Sequence, residues 1–152
     1  DFTYGPALPL GMEALKEVLE FRSDRRIEAR EFLVRVNRSV PPGIRFSALA
    51  RVETGAPSLH NAMDKLVYSL DRKNEALGRA WSARELRLAL ARFKDGHDGA
   101  AGVDFCFTGR RLGLLLPSDP ARGVRAQDIV REVLHIEDPV FLIRRDEIVL
   151  KN

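Results

Sequence analysis

The run Ser82-Ala83-Arg84-Glu85 limits the possible folds more than any other stretch of this chain. It has the form of a capping box, in which a serine hydroxyl accepts from the N3 amide and the N3 glutamate accepts from the cap amide, so a helix starts here. Leu86, Leu90 and Phe93 continue a buried stripe to Lys94, and Trp81 is placed to staple onto Leu86. Extended segments surround this helix. Leu66 to Leu70 precedes it; after the loop Asp95-Gly96-His97-Asp98-Gly99, the residues Val103, Phe105 and Phe107 alternate with Asp104, Cys106 and Thr108. Gly109-Arg110 then turns the chain into Leu112, Leu114 and Leu116, which reads as a hairpin. Ile129, Val130, Val133 and Leu134 define a further helix, and Pro139 opens a final extended run from Val140 to Leu150. Strand, helix, hairpin, helix, strand is the ferredoxin-like or split βαβ order, in which two helices cover one face of an antiparallel sheet.

The first half reads as part of the same plan. In Tyr4-Gly5-Pro6-Ala7-Leu8-Pro9-Leu10-Gly11 two prolines fix φ and remove two backbone donors, so this run is a shaped, extended lead-in. Met12 to Arg22 is ambiguous: Met12, Leu15, Val18 and Leu19 fit a helix, whereas Leu15, Leu19 and Phe21 also fit a period of two. Asp24 to Val40 is expected to be a helix ended by Pro41-Pro42-Gly43, and Ile44, Phe46, Ala48, Ala50 and Val52 alternate as a half-buried strand does. Thr54-Gly55-Ala56-Pro57 breaks the pattern, and Ser58 is placed to cap one helical turn through Met63. The expected class is α+β: residues 1–56 as an incomplete βαβ half with a proline-rich lead-in, residues 57–152 as a ferredoxin-like β-α-β-β-α-β unit.

Composition narrows the chemistry. The 152 residues carry a formal charge of +3, and 20 of the 25 basic residues are arginine, whose planar guanidinium suits planar anions. A GC-rich genome enriches arginine with no ligand at all. A single cysteine, Cys106, excludes an internal disulfide and any multi-cysteine zinc or iron–sulfur site on this chain and points to a reducing, cytoplasmic compartment. No apolar run is long enough to span a membrane. A start at Asp1 rather than Met is expected of a piece of a longer protein.

No catalytic constellation is visible, and the chain by itself does not decide whether it is part of an enzyme. His97 lies in a glycine-rich loop far in sequence from His60 and His135, so no metal is expected. Cys106 alternates with aromatics and is expected to be a buried, inert thiol. Asn37 reads as a helix-end residue, and Glu13, Glu17 and Glu20 read as solvated acids. Arg110 with Arg111, at the hairpin, and Arg144 with Arg145, near the last strand, are the candidate nucleic-acid-binding residues, since paired guanidiniums there would meet phosphates.

The residues Pro6-Ala7-Leu8-Pro9-Leu10-Gly11-Met12-Glu13 with Glu17, Leu19 and Glu20, then Val36-Asn37 with Val40-Pro41-Pro42-Gly43-Ile44, Pro57-Ser58-Leu59 with Tyr68, and Ile143-Arg144 with Glu147-Ile148, recur in one order. In these the chain resembles the radical-SAM-linked protein family, a bacterial family of unknown function fused to, or encoded beside, radical S-adenosylmethionine proteins. Val18 departs from the usual aromatic and Val36 from the usual leucine, and the family's opening serine-histidine-leucine-aspartate helix is missing. The resemblance implies that Met12 to Arg22 is a strand. It also implies a radical SAM protein or domain as partner, with the iron–sulfur cluster and S-adenosylmethionine there and no cofactor in this chain. The function it suggests is an accessory or binding module that presents RNA or a protein substrate to the radical enzyme. The alternatives are part of an enzyme whose catalytic residues lie in the missing segment, or a structural domain that forms a homodimer.

Overall fold

The computed structural model describes residues 1–71, 74–77, 79–118 and 124–151. In chain order the elements are β1 (Phe2–Tyr4), β2 (Glu13–Ala14), β3 (Leu19–Phe21), α1 (Ala29–Ser39), α2 (Leu59–Ala62), β4 (Met63–Asp71), α3 (Ala83–Gly96), β5 (Asp104–Thr108), β6 (Arg111–Pro117), α4 (Ala126–Leu134) and β7 (Arg144–Leu150). The chain is α+β, as expected from the sequence.

From β4 onward the strands lie in the order β7-β4-β6-β5, every neighbouring pair antiparallel. That is the split βαβ arrangement. The capping box forms in full: Ser82 Oγ accepts from the Glu85 amide at 3.2 Å, and Glu85 Oε2 accepts from the Ser82 amide at 2.9 Å. Those bonds, with the Arg79 guanidinium 2.7 Å from Glu85, hold the Glu85 carboxyl at a pKa of about 2. Gly109, at φ +55°, supplies the positive φ that a two-residue hairpin loop needs at its first central position. Leu66, Tyr68 and Leu70 stand opposite Leu116, Leu114 and Leu112 on one face of the sheet, and all six are buried with Leu86, Leu90 and Phe93 of α3 and Ile129, Val130 and Val133 of α4. This is the core.

The first half departs from its expected form. Met12 to Arg22 is not one strand: it supplies β2, which adds two parallel rungs to the outer edge of β7, and β3, which pairs with β1 in a separate two-stranded ribbon. Ile44 to Val52 is not a strand, despite an alternation broken only at Leu49, because no neighbouring strand is present among the described residues to bond it. Asn37 substitutes for that neighbour. Its side-chain amide donates to the Phe46 carbonyl at 2.9 Å and its carbonyl accepts from the Phe46 amide at 2.8 Å, so it is a clamp within α1 rather than a simple helix-end residue. α1 itself buries no residue completely. The lead-in does better, with Met12 in the core and Leu8 and Val18 packed against it.

Candidate nucleic-acid interface

The four arginines singled out from the sequence have different environments. Arg110, at the hairpin tip, pairs with Asp71 at 3.1 Å; Arg111 Nε donates to Ser69 Oγ at 3.1 Å; Arg144 pairs with Asp146 at 2.7 Å. These three gather around Ser69 and Asp71, on the sheet face opposite the helices. Arg145 does not join them. Consecutive strand residues face opposite sides of the sheet, and a register shift that puts Val67 opposite Glu147 but Tyr68 opposite Arg145 makes Asp146 the extra residue of a bulge, so that Arg145 rather than Arg144 takes the core side. Arg145 is 1% exposed, on the Tyr68 side, and both Nε and Nη2 donate to the Glu17 carboxylate. Burial works against its charge, but the Glu17 carboxylate, then the Tyr68 hydroxyl, outweigh it and raise its pKa above the ordinary arginine value. A buried, ion-paired guanidinium cannot reach a phosphate. Arg145 is therefore a structural charge, contrary to its reading as a surface contact.

Two of the acids read as solvated are also structural. Glu17 neutralises Arg145, and Glu20 Oε2 accepts from the Leu59 amide at 3.0 Å, at the start of α2. Cys106, expected to be buried, is exposed. It stands opposite Gly113 on the uncovered sheet face, where a Cβ on that glycine would collide with the thiol sulfur. His97 stacks on Phe93, its Nδ1 3.0 Å from the Phe93 carbonyl and its Nε2 3.4 Å from Glu132. The ring thus ties the end of α3 to α4. Among the described residues no group of three or more histidines, cysteines and carboxylates is placed to hold a metal ion, and no helix is long and apolar enough to cross a membrane.

Unneutralised charge is densest in the first half, although Arg84, Arg87 and Arg92 of α3 and Arg125 before α4 are also exposed without an ion-pair partner among the described residues. Residues 22 to 53 hold eight arginines, no lysine and four carboxylates, a net charge of +4 against +3 for the whole chain. Only Arg35 is paired, with Glu31 one helical turn away; among the described residues Arg22, Arg25, Arg26, Arg30, Arg38, Arg45 and Arg51 are exposed and have no carboxylate in ion-pair reach. Local structure explains their grouping. Arg30, Leu33 and Asn37 fall on one stripe of α1, and the Asn37 clamp holds Ile44, Arg45 and Phe46 alongside, so two guanidiniums line one open groove. The signal was present in the sequence, as charge counted segment by segment rather than as adjacent arginine pairs.

Next to this surface stands a row of rings. Tyr4 and Phe2 lie on the same face of β1 with centroids 6.3 Å apart; Phe2 stands opposite Phe21 of β3 at 5.8 Å; Phe21 stacks on Phe32 of α1 at 5.3 Å. Successive planes differ by 21°, 32° and 20°. Phe2 and Tyr4, at the open end, are 65% and 62% exposed.

No curated protein and no solved structure matches the chain. Residues 1–98, which include the whole basic surface and the ring row, match DUF2344, described as an uncharacterized protein conserved in bacteria, and the chain belongs to that family.

Proposed function

We propose that this chain is an accessory binding module that holds RNA for a radical S-adenosylmethionine enzyme. The radical enzyme enters through the sequence resemblance described above. The RNA enters through one observation: seven exposed arginines of residues 22 to 51 have no carboxylate partner, while those of the hairpin and last strand are paired or hydrogen-bonded. Free guanidiniums on an open surface supply the phosphate contacts that dominate polynucleotide affinity, and they release condensed counterions on binding. On this reading the contact surface is α1 and its flanks rather than the hairpin and last strand.

The test is a salt titration of RNA binding by the full chain. Log K for a single strand should fall with log salt by about 0.7 per phosphate contact. Replacing Arg26, Arg30, Arg38 and Arg45 together by glutamine should flatten that slope. Replacing Arg110 and Arg144 should change it less. Arg26, Arg30, Arg38, Arg45 and Arg110 are exposed, so stability should stay within about 0.5 kcal/mol for each of those changes, while Arg144, paired with Asp146, should cost more. Absence of salt-sensitive RNA binding at low ionic strength would dismiss the proposal, and tight capture of an acidic polypeptide instead would replace RNA by a protein substrate.

A further inference from the structure

We infer that the ring row Tyr4–Phe2–Phe21–Phe32 is a base-stacking platform, so that the module takes single-stranded polynucleotide rather than duplex. This inference rests on the RNA reading above and names the form of the ligand. A two-stranded ribbon has two faces. On this one, Phe21 is covered from one side by Phe32, whereas Phe2 and Tyr4 extend the same stack outward and end it in solvent. Near-parallel rings with an uncovered outer end offer π-faces to any flat partner, and every nucleobase has one. In a duplex the bases are already stacked on each other and their faces are unavailable to protein rings; in a single strand they can be splayed onto them.

Charge decides between a polynucleotide and a second copy of the chain as what covers these rings. Arg22 directly follows Phe21, and Arg25 and Arg26 follow in the turn into α1, so the inner end of the row opens onto the +4 surface. A second copy seated by symmetry on this face would bring another +4 against it. A strand of phosphates brings the opposite sign. Aromatic rings for bases beside guanidiniums for the backbone is the combination by which single strands are held without sequence preference.

The experiment uses the full chain and three probes of equal length: oligoadenylate, its deoxyribose counterpart and a duplex RNA. Wild type should bind both single strands more tightly than the duplex; a ribose preference would show that the 2′-hydroxyl is read as well. Phe2→Ala and Tyr4→Ala should each weaken single-strand binding by about tenfold with the salt slope unchanged, because stacking releases no counterions. The arginine replacements should do the reverse and change the slope. Tyr4→Trp, which retains a large ring, should keep the affinity and show indole quenching when a base stacks on it. If Phe2→Ala and Tyr4→Ala bind as wild type does, or if the duplex binds as tightly as the strand while the arginine dependence persists, the platform is refuted and the RNA reading survives. If no nucleic acid binds at low salt, the RNA reading fails first. A stable dimer in which Tyr4→Trp is shielded without nucleic acid would assign the rings to a second copy and overturn the inference.

Discussion

Residues 22 to 53 and the sheet strands β4 to β7 handle the same residue type in opposite ways, whereas the arginines on α3 are exposed and unpaired like the earlier ones. In the later region the hairpin and strand arginines are matched to acceptors, Arg110 to Asp71, Arg144 to Asp146 and Arg145 to Glu17, around a core of leucines and isoleucines with almost no exposure. In the earlier region the arginines are unmatched, α1 has no fully buried residue, and the extended segment after it has no strand beside it. A pair satisfied within the molecule contributes to holding the fold. A charge left unsatisfied at a solvent face contributes little to stability and is available to something outside. The difference teaches that arginine content alone says nothing of function until each guanidinium is assigned its acceptor.

The contrast can be broken most directly through packing. Leu114→Ala in the later region should cost about 3 to 4 kcal/mol, since the side chain is fully buried between strands and helices, whereas Val34→Ala on α1 should stay within about 0.5 kcal/mol. Urea unfolding monitored by circular dichroism would measure both, and comparable losses would show that α1 is held far more firmly than its burial implies. Next in size, Glu17→Gln should cost about 3 kcal/mol. That is the low end for breaking a buried pair, because Glu17 is itself 43% exposed while Arg145 is left uncompensated. Arg145→Met should recover part of the loss in the double variant, and a double variant no better than Glu17→Gln alone would show that the ion pair is not what couples these positions.

Smaller again is the cap. Ser82→Ala should lower stability by about 1 kcal/mol and the melting temperature by about 3 °C. The Glu85 carboxyl titrates near 2 in the folded chain and near the ordinary 4.5 when unfolded, so its contribution is fully present above 4.5 and is lost as the pH falls towards 2. Glu85→Gln should remove that part of the acid dependence, and an unchanged acid limb would place the sensitivity elsewhere. Least costly of all should be opening α1: its amides should exchange hydrogen well before those of α3, and equal protection would erase the contrast.

Legibility in the sequence followed the same division. The capping box, the Gly109 hairpin and the leucine alternation each state a local requirement that the later region satisfies with neighbours close in sequence or directly across the sheet. Ile44 to Val52 alternates except at Leu49 and is not a strand, because alternation encodes a face to bury and not a ladder to join. Arg145 was misread for a related reason. Adjacent strand arginines must face opposite sides, but which of the two faces inward is set by a one-residue bulge that depends on pairing with β4. Nor could the ring row be read, since it joins residues 2, 4, 21 and 32 from a ribbon whose pairing no local pattern announces.

The two rungs of β2 on β7 act as a gasket. An outer strand of a sheet is a row of unpaired amides and carbonyls ready to join another molecule. Here the Glu13–Ala14 rungs, the Leu15 amide bonded to the Arg145 carbonyl at 2.9 Å and the Glu17 carboxylate close that margin where it passes the buried guanidinium. A chain shortened to begin after residue 18 loses the seal and the counter-ion together. Such a shortened chain should therefore polymerise edge to edge at concentrations where the intact chain does not, and light scattering would show it. The proline-rich lead-in carries that seal to the sheet, which makes the start of this chain a guard on its own solubility.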